Sequence, residues 1–189
     1  MPIFRRGRGP HALLIAMSGI KLGERFLHVG SGRPAMFAAL AGKVGLTGRA
    51  AAIADDDAAA RALSRAAARE GVLVDIAVPA AGLLPHGPES FDLAMLDGTD
   101  GAFATMGPAE RSRRLTEIAR VIRPGGRALV VETAPTGIRR LLGPARADAA
   151  YRSSGGAKPA LEAAGFRPVR VLAERDGFRF TEGLKPGAR

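Results

Sequence analysis

Short apolar runs alternate along this chain with segments whose apolar positions recur every three or four residues. Runs at 25–29, 50–54, 72–77, 91–96 and 127–131 are built mostly from Val, Ile, Leu, Phe, Ala and Met, the pattern of strands covered on both faces. Between them, 34–43, 57–69 and 108–122 read as amphipathic helices. In the last of these, Leu115, Ile118 and Ile122 fall on one face and arginines on the other. A short apolar helix over 11–18 precedes the first strand. Strand–helix alternation of this kind predicts an α/β protein with a largely parallel sheet. Punctuation agrees with it. Pro34 suits a first helical position, where its missing N–H would have no partner. Asp55-Asp56-Asp57 offers N-cap acceptors and favourable charge at a helix start. Arg123-Pro124-Gly125-Gly126 reads as a stop and a turn.

Toward the C-terminus, 134–157 is rich in Gly, Pro and Ser and reads as a mobile loop with one short helix near 138–142. A helix over 158–164 ends at Gly165. Strands at 167–174 and 178–185 flank Asp176-Gly177, a two-residue hairpin signal. No internal repeat and no domain boundary shows. Residues 1–189 therefore read as one domain, with 1–20 a basic segment plus helix.

The first run ends in Gly30-Ser31-Gly32, ahead of Pro34. A strand, a glycine turn and a helix start in succession present free backbone N–H groups and the positive end of a helix dipole to a ligand. Composition narrows what that ligand could be. The chain has 189 residues, 47% of them hydrophobic, so it can bury a real core. It has no cysteine, which excludes disulfides, thiolate metal sites and a cysteine nucleophile. Its histidines, His11, His28 and His86, have no zinc-type spacing, and no metal site is expected.

A formal net charge of +10 raises nucleic acid or an anionic membrane as partner. The arginines are spread along the chain and only 5% of residues are aromatic, so stacking platforms for single strands are scarce. A small molecule is the better-supported partner. Arg5, Arg6 and Arg8 before the apolar run 12–17 have the layout of a signal peptide, but Lys21, Glu24 and Arg25 lead directly into the first strand. The run is too short to cross a bilayer. A cytoplasmic location with no transmembrane segment is the expectation.

The stretch 115–131, Leu-Thr-Glu-Ile-Ala-Arg-Val-Ile-Arg-Pro-Gly-Gly-Arg-Ala-Leu-Val-Val, resembles the approach to the fifth strand in class I S-adenosylmethionine-dependent methyltransferases of the ubiquinone/menaquinone-biosynthesis kind (methyltransferase type 11). Ser90-Phe91-Asp92-Leu93-Ala94 is similar to the start of that family's fourth strand, and 25–32 to its first motif. The resemblance covers about residues 11–185. It implies a Rossmann-like, doubly wound, seven-stranded sheet, mostly parallel with an antiparallel last strand, and ligand bound at the carboxyl ends of the strands. It implies S-adenosylmethionine as cofactor, contacted at His28, Gly30, Ser31, Gly32, Asp55, Ala80 and Asp97. Four of the family's positions are altered. His28 stands where an acid is usual and Pro34 where a third glycine is usual. The ribose-binding acid falls on Ala54, one residue before Asp55, and the adenine-binding position on Ala80.

Methyl transfer requires alignment of a nucleophile with the methyl carbon, and a base only when the acceptor must lose a proton. Asp97, Asp100, Glu132 and His86 fall near strand ends, and Asp97 is the candidate for a catalytic role. Tyr151 is a weaker candidate for acceptor binding. Three readings follow: a methyltransferase acting on a small-molecule acceptor, a methyltransferase-like scaffold that has lost catalysis, and an NAD(P)-binding oxidoreductase. The third rests on Gly30-x-Gly32-x-x-Ala35, which matches the dinucleotide fingerprint, with Asp55 downstream.

Overall fold

A computed structural model describes residues 11–79, 83–134 and 146–187. Its elements in chain order are α1 (Ala12–Ser18), β1 (Arg25–Val29), α2 (Pro34–Val44), β2 (Arg49–Ile53), α3 (Asp57–Arg69), β3 (Asp75–Ala77), β4 (Phe91–Gly98), α4 (Ala102–Thr105), α5 (Pro108–Val121), β5 (Ile122–Thr133), α6 (Arg146–Ser153), α7 (Ala157–Ala163), β6 (Val169–Arg175) and β7 (Phe178–Leu184). The strands form one sheet in the order β3-β2-β1-β4-β5-β7-β6. Pairing is parallel from β3 to β5, and β7 runs antiparallel to both of its neighbours. This is the doubly wound sheet that the alternation implied. The winding reverses between β1 and β4, which opens a crevice at their carboxyl ends.

Alternate side chains of the central strands feed two cores. Leu27, Val29, Ala94, Leu96 and Val130 pack with Leu115, Ile118 and Leu161 of α5 and α7. Phe26, Leu93, Met95 and Leu129 pack with Phe37 and Leu40 of α2 and Leu63 of α3. Burial on both faces explains why these strands read as continuous apolar runs.

Four details depart from the sequence reading. The third strand is confined to Asp75–Ala77. The N–H of Val72 is spent on the Ala67 carbonyl in closing α3, so the chain joins the sheet late. The fifth strand begins at Ile122, and Arg123-Pro124-Gly125-Gly126 forms a bulge within it, since Ile122 pairs with Phe91 and Arg127 with Leu93. Gly125 adopts φ +75°, its N–H bonds the Lys185 carbonyl, and Lys185 returns a bond to Gly126. A Cβ on Gly126 would lie 2.9 Å from the Asp92 carbonyl oxygen, so this close approach of β4 and β5 requires glycine. The short helix α4 was not anticipated; the Asp100 carboxylate starts it by accepting the Ala102 N–H. Finally, the segment expected to be loop contains α6 over Arg146–Ser153, while the helix expected near 138–142 lies outside the described residues. Asp176 (φ +54°) and Gly177 (φ +80°) form the left-handed pair of the expected hairpin.

Candidate functional site

The turn after β1 is shaped by how closely the end of β4 approaches it. Gly30 has φ +112°, and a Cβ there would lie 2.8 Å from the main-chain oxygen of Asp97. A Cβ on Gly32 would lie 2.6 Å from Thr99 Oγ1 and 2.8 Å from Asp97 Oδ1. Both positions therefore need glycine, one for conformation and contact, the other for contact alone. The Asp97 carboxylate fills the space so created. Its Oδ2 accepts the Arg33 N–H (2.9 Å), and its Oδ1 accepts the Thr99 N–H (3.0 Å) and the Thr99 hydroxyl (2.6 Å). Asp97 thus ties the turn to β4, and both of its carboxylate oxygens are engaged within the protein.

His28 lies fully buried beneath this turn. Its ring rests on Phe37, with centroids 5.2 Å apart, and its Nε2 is 3.9 Å from Asp97 Oδ2. Neither ring nitrogen has a hydrogen-bond partner among the described residues. Burial holds its pKa below the ordinary histidine value, and the Asp97 charge only partly offsets this. The ring is consequently a neutral imidazole at pH 7.

The three consecutive aspartates have separate roles. The Ser31 hydroxyl donates to Asp55 Oδ2 (2.8 Å), and the Asp55 N–H donates back to Ser31 Oγ (3.0 Å). This exchange brings the turn and the end of β2 together. Asp56 is the N-cap of α3 and accepts the Ala59 N–H at 2.7 Å, and Asp57 occupies the first turn. Ala80 lies outside the described residues.

Two hollows open around these groups. One, of about 190 Å³, is bounded by Val29, Ile53, Ala54, Asp55, Pro79, Leu84 and Arg114. The other, of about 20 Å³, lies between Gly30, Asp97, Asp100, Phe103, Met106 and Arg114. Arg114 of α5 borders both, and its Nη1 sits 3.6 Å from Asp55 Oδ1. The Arg114–Asp55 pair therefore stands where the two hollows meet. Sequence reasoning missed Arg114. It belongs to the arginine-bearing face of α5, and no spacing rule says which of those arginines reaches across to β2.

The remaining strand-end candidates divide. Asp100 is an N-terminal helix acceptor. His86 packs edge-on against Phe91, with centroids 4.9 Å apart. Glu132 and Tyr151 are buried, outside the turn. Among the described residues, no group of three or more His, Asp or Glu could hold a metal ion. No described helix is long and apolar enough to cross a membrane.

A glycine turn at the switch point of a doubly wound sheet, with a carboxylate at the neighbouring strand end, defines a protein that takes a nucleoside-type ligand. The profile described as "Methyltransferase domain" matches residues 27–130, and the chain belongs to this family, whose cofactor is S-adenosylmethionine. No curated protein matches the sequence. Solved structures share the fold at low identity. An S-adenosylmethionine-dependent methyltransferase from Aquifex aeolicus superposes with TM-score 0.72 at 19% identity, over 93% of this chain and 89% of that one. An S-adenosylmethionine-dependent O-methyltransferase from Thermotoga maritima gives 0.65 at 18%, over 94% and 65%. A structure described as PigF with SAH gives 0.62 at 20%, over 86% and 50%. The family assignment favours methyl transfer over the nicotinamide-cofactor reading.

Proposed function

We propose that this chain transfers a methyl group from S-adenosylmethionine to a small-molecule acceptor, with the cofactor lying across Gly30, Ser31 and Gly32. The donor set supports this at the nucleoside end. The larger hollow has apolar walls at Ile53, Ala54, Pro79 and Leu84 suited to a purine face, and the Asp55 carboxylate at its edge is an acceptor for ribose hydroxyls. His28 and Asp97 support the turn from beneath. Bound S-adenosylmethionine supplies an electrophilic methyl and its own leaving group. The protein's task is then to orient the nucleophile and exclude water.

The observation that carries this reading is the turn itself, two glycines held against β4 beside the Asp55–Ser31 exchange. The 20 Å³ of space at the Asp97 end favours a second reading, a scaffold that has lost catalysis, because the cofactor's amino-acid tail would have to displace Arg114. Calorimetric titration with S-adenosylhomocysteine separates the two. Binding by the wild type, abolished in Gly30→Val, is the result expected of a methyltransferase. No heat and no thermal stabilisation at millimolar ligand would establish the scaffold.

A further inference from the structure

The densest group of unsatisfied buried polar atoms lies one strand away from the turn. Glu132 ends β5, opposite Gly98 in the parallel register and opposite Arg179 in the antiparallel one. It is 7% exposed, and Tyr151 is 5% exposed. Among the described residues, Glu132 Oε2, the Tyr151 hydroxyl and Arg179 Nε are buried and make no hydrogen bond of good geometry, although Tyr151 and Glu132 lie close enough to interact and Arg179 Nε faces Glu174 Oε1 at 3.5 Å. Buried polar groups are otherwise almost always well paired, so loosely held groups of this kind keep hydrogen-bonding capacity for a ligand.

That place is a cavity of about 30 Å³ whose walls include Gly98, Gly101, Glu132, Gly156 and Arg179. It has room for one small functional group. Gly156, at φ +67°, keeps it open. A Cβ there would come within 3.2 Å of an Arg179 guanidinium nitrogen and 3.4 Å of Glu132 Oε2. The tyrosine is firmly seated, with the Phe103 ring edge-on at 6.1 Å and the Arg111 guanidinium 4.6 Å above its face. Arg179 is also 3.5 Å from Glu174. Gly98 follows Asp97, whose main-chain oxygen packs on Gly30, so the cavity adjoins the turn assigned above to the cofactor.

The chemistry of the walls selects the group. A carboxylate accepts, a guanidinium donates, and a phenol does either. A hydroxyl satisfies all three, giving its proton to Glu132 and accepting from Arg179 or Tyr151. The walls carry two carboxylates, Glu132 and Glu174, and two guanidiniums, Arg152 and Arg179, so a neutral group that both donates and accepts suits them better than an ion of either sign.

We propose that this cavity seats the nucleophilic hydroxyl of the acceptor, with Glu132 as the proton acceptor and Tyr151 and Arg179 as the groups that fix the oxygen. The assignment rests on the methyltransferase reading. The hydroxyl oxygen forms a bond to the methyl carbon, and the carbon–sulfur bond breaks with its electron pair staying on sulfur. The hydroxyl proton passes to Glu132 Oε2 and then to water. The products are a methyl ether and S-adenosylhomocysteine. Burial raises the Glu132 pKa, while Tyr151 and Arg179 only partly oppose it, so the carboxylate is a stronger base than an exposed one.

Tyr151 is the chain's only tyrosine, so ¹³C-tyrosine labelling places a single NMR reporter beside Glu132 of the cavity wall. The labelled protein, with and without S-adenosylhomocysteine, is titrated with phenol, benzylamine and benzoate. Phenol should shift the Tyr151 signal saturably, and the other two should not. Label transfer from methyl-tritiated S-adenosylmethionine to phenol should fall about 100-fold in Glu132→Gln, with S-adenosylhomocysteine affinity unchanged. An unmoved Tyr151 signal, an equal shift by benzoate, no transfer by a wild type that binds phenol, or wild-type transfer by Glu132→Gln would each overturn the proposal. The wild-type titrations decide the subsite even if the variant fails to fold. Failure of the methyltransferase reading shows separately, as absent S-adenosylhomocysteine binding.

Discussion

Removing Arg114 should make the cofactor site better, not worse. Its guanidinium lies 3.6 Å from Asp55, the carboxylate assigned to the ribose, and borders both hollows. At that separation Coulomb's law gives about 1 kcal/mol in water and about 5 kcal/mol at an effective dielectric of ~20. The Arg114 side chain is 23% exposed and the Asp55 side chain 47%, which places the pair near the aqueous limit. Exposed pairs of this kind measure roughly 0.2–1 kcal/mol once the entropy of holding two side chains is counted. A ligand that takes over Asp55 must first break the pair, so Arg114→Ala should tighten S-adenosylhomocysteine binding by up to about fivefold, the equivalent of ~1 kcal/mol. Titration calorimetry on wild type, Arg114→Ala, Asp55→Asn and the double variant closes a thermodynamic cycle. The gain from Arg114→Ala should vanish in the Asp55→Asn background. Weaker binding by Arg114→Ala would refute the reasoning, since Arg114 would then be a ligand contact and not a competitor.

Two further perturbations test the turn and its support. Gly32→Ala puts a Cβ 2.6 Å from Thr99 Oγ1 and 2.8 Å from Asp97 Oδ1, so the bonds joining Arg33, Asp97 and Thr99 must give way; urea unfolding should show a loss of about 1–3 kcal/mol. A stability unchanged from wild type would mean the turn can relax around the methyl at no cost. The burial of neutral His28 sets a pH dependence. Its folded pKa lies below the unfolded value of 6.5, so the unfolded chain binds the extra proton first. Stability is therefore level above about pH 6.5 and falls as pH drops below it, by at most about 1.4 kcal/mol per pH unit for this one group. His28→Phe should flatten that part of the curve. His86, also lowered by burial, leaves a smaller residual slope, and an unchanged profile in His28→Phe would remove His28 as the cause.

What could be read in advance was local. Each central strand carries its own signal because both of its faces are buried, and the glycine turn announces itself because three residues and a following proline make it. The hairpin at Asp176-Gly177 is legible for the same reason. The turn signal of Pro-Gly-Gly shows up as the bulge near the start of β5, but what it packs against was not legible. Here Gly126 serves a close approach by Asp92, a partner 34 positions earlier in the chain. Most of the relations that give the site its character, such as Arg33 with Asp97, Ser31 with Asp55 and Arg114 with Asp55, are of that second, distant kind.

The distant relations also explain why substitutions in the family's motif do not by themselves settle the activity. Asp97 stood out as a carboxylate at a strand end, but its oxygens are engaged by Arg33 and Thr99, so its contribution is to hold the turn. Asp55, one residue off the ungapped count, stands at the site because Ser31 binds it from the turn. The motif's first acid is replaced by His28, yet the space beneath the turn is still filled and the position still faces Asp97. Glu132, by contrast, sits near a strand end like Asp97, and its Oε2 makes no hydrogen bond of good geometry among the described residues. Two acids with the same sequence signature thus differ, one with both oxygens tied by Arg33 and Thr99 and one with an oxygen that makes no hydrogen bond of good geometry among the described residues. That difference is why the proposed reacting group is sought near the end of β5, at the Glu132 carboxylate, before Asp97.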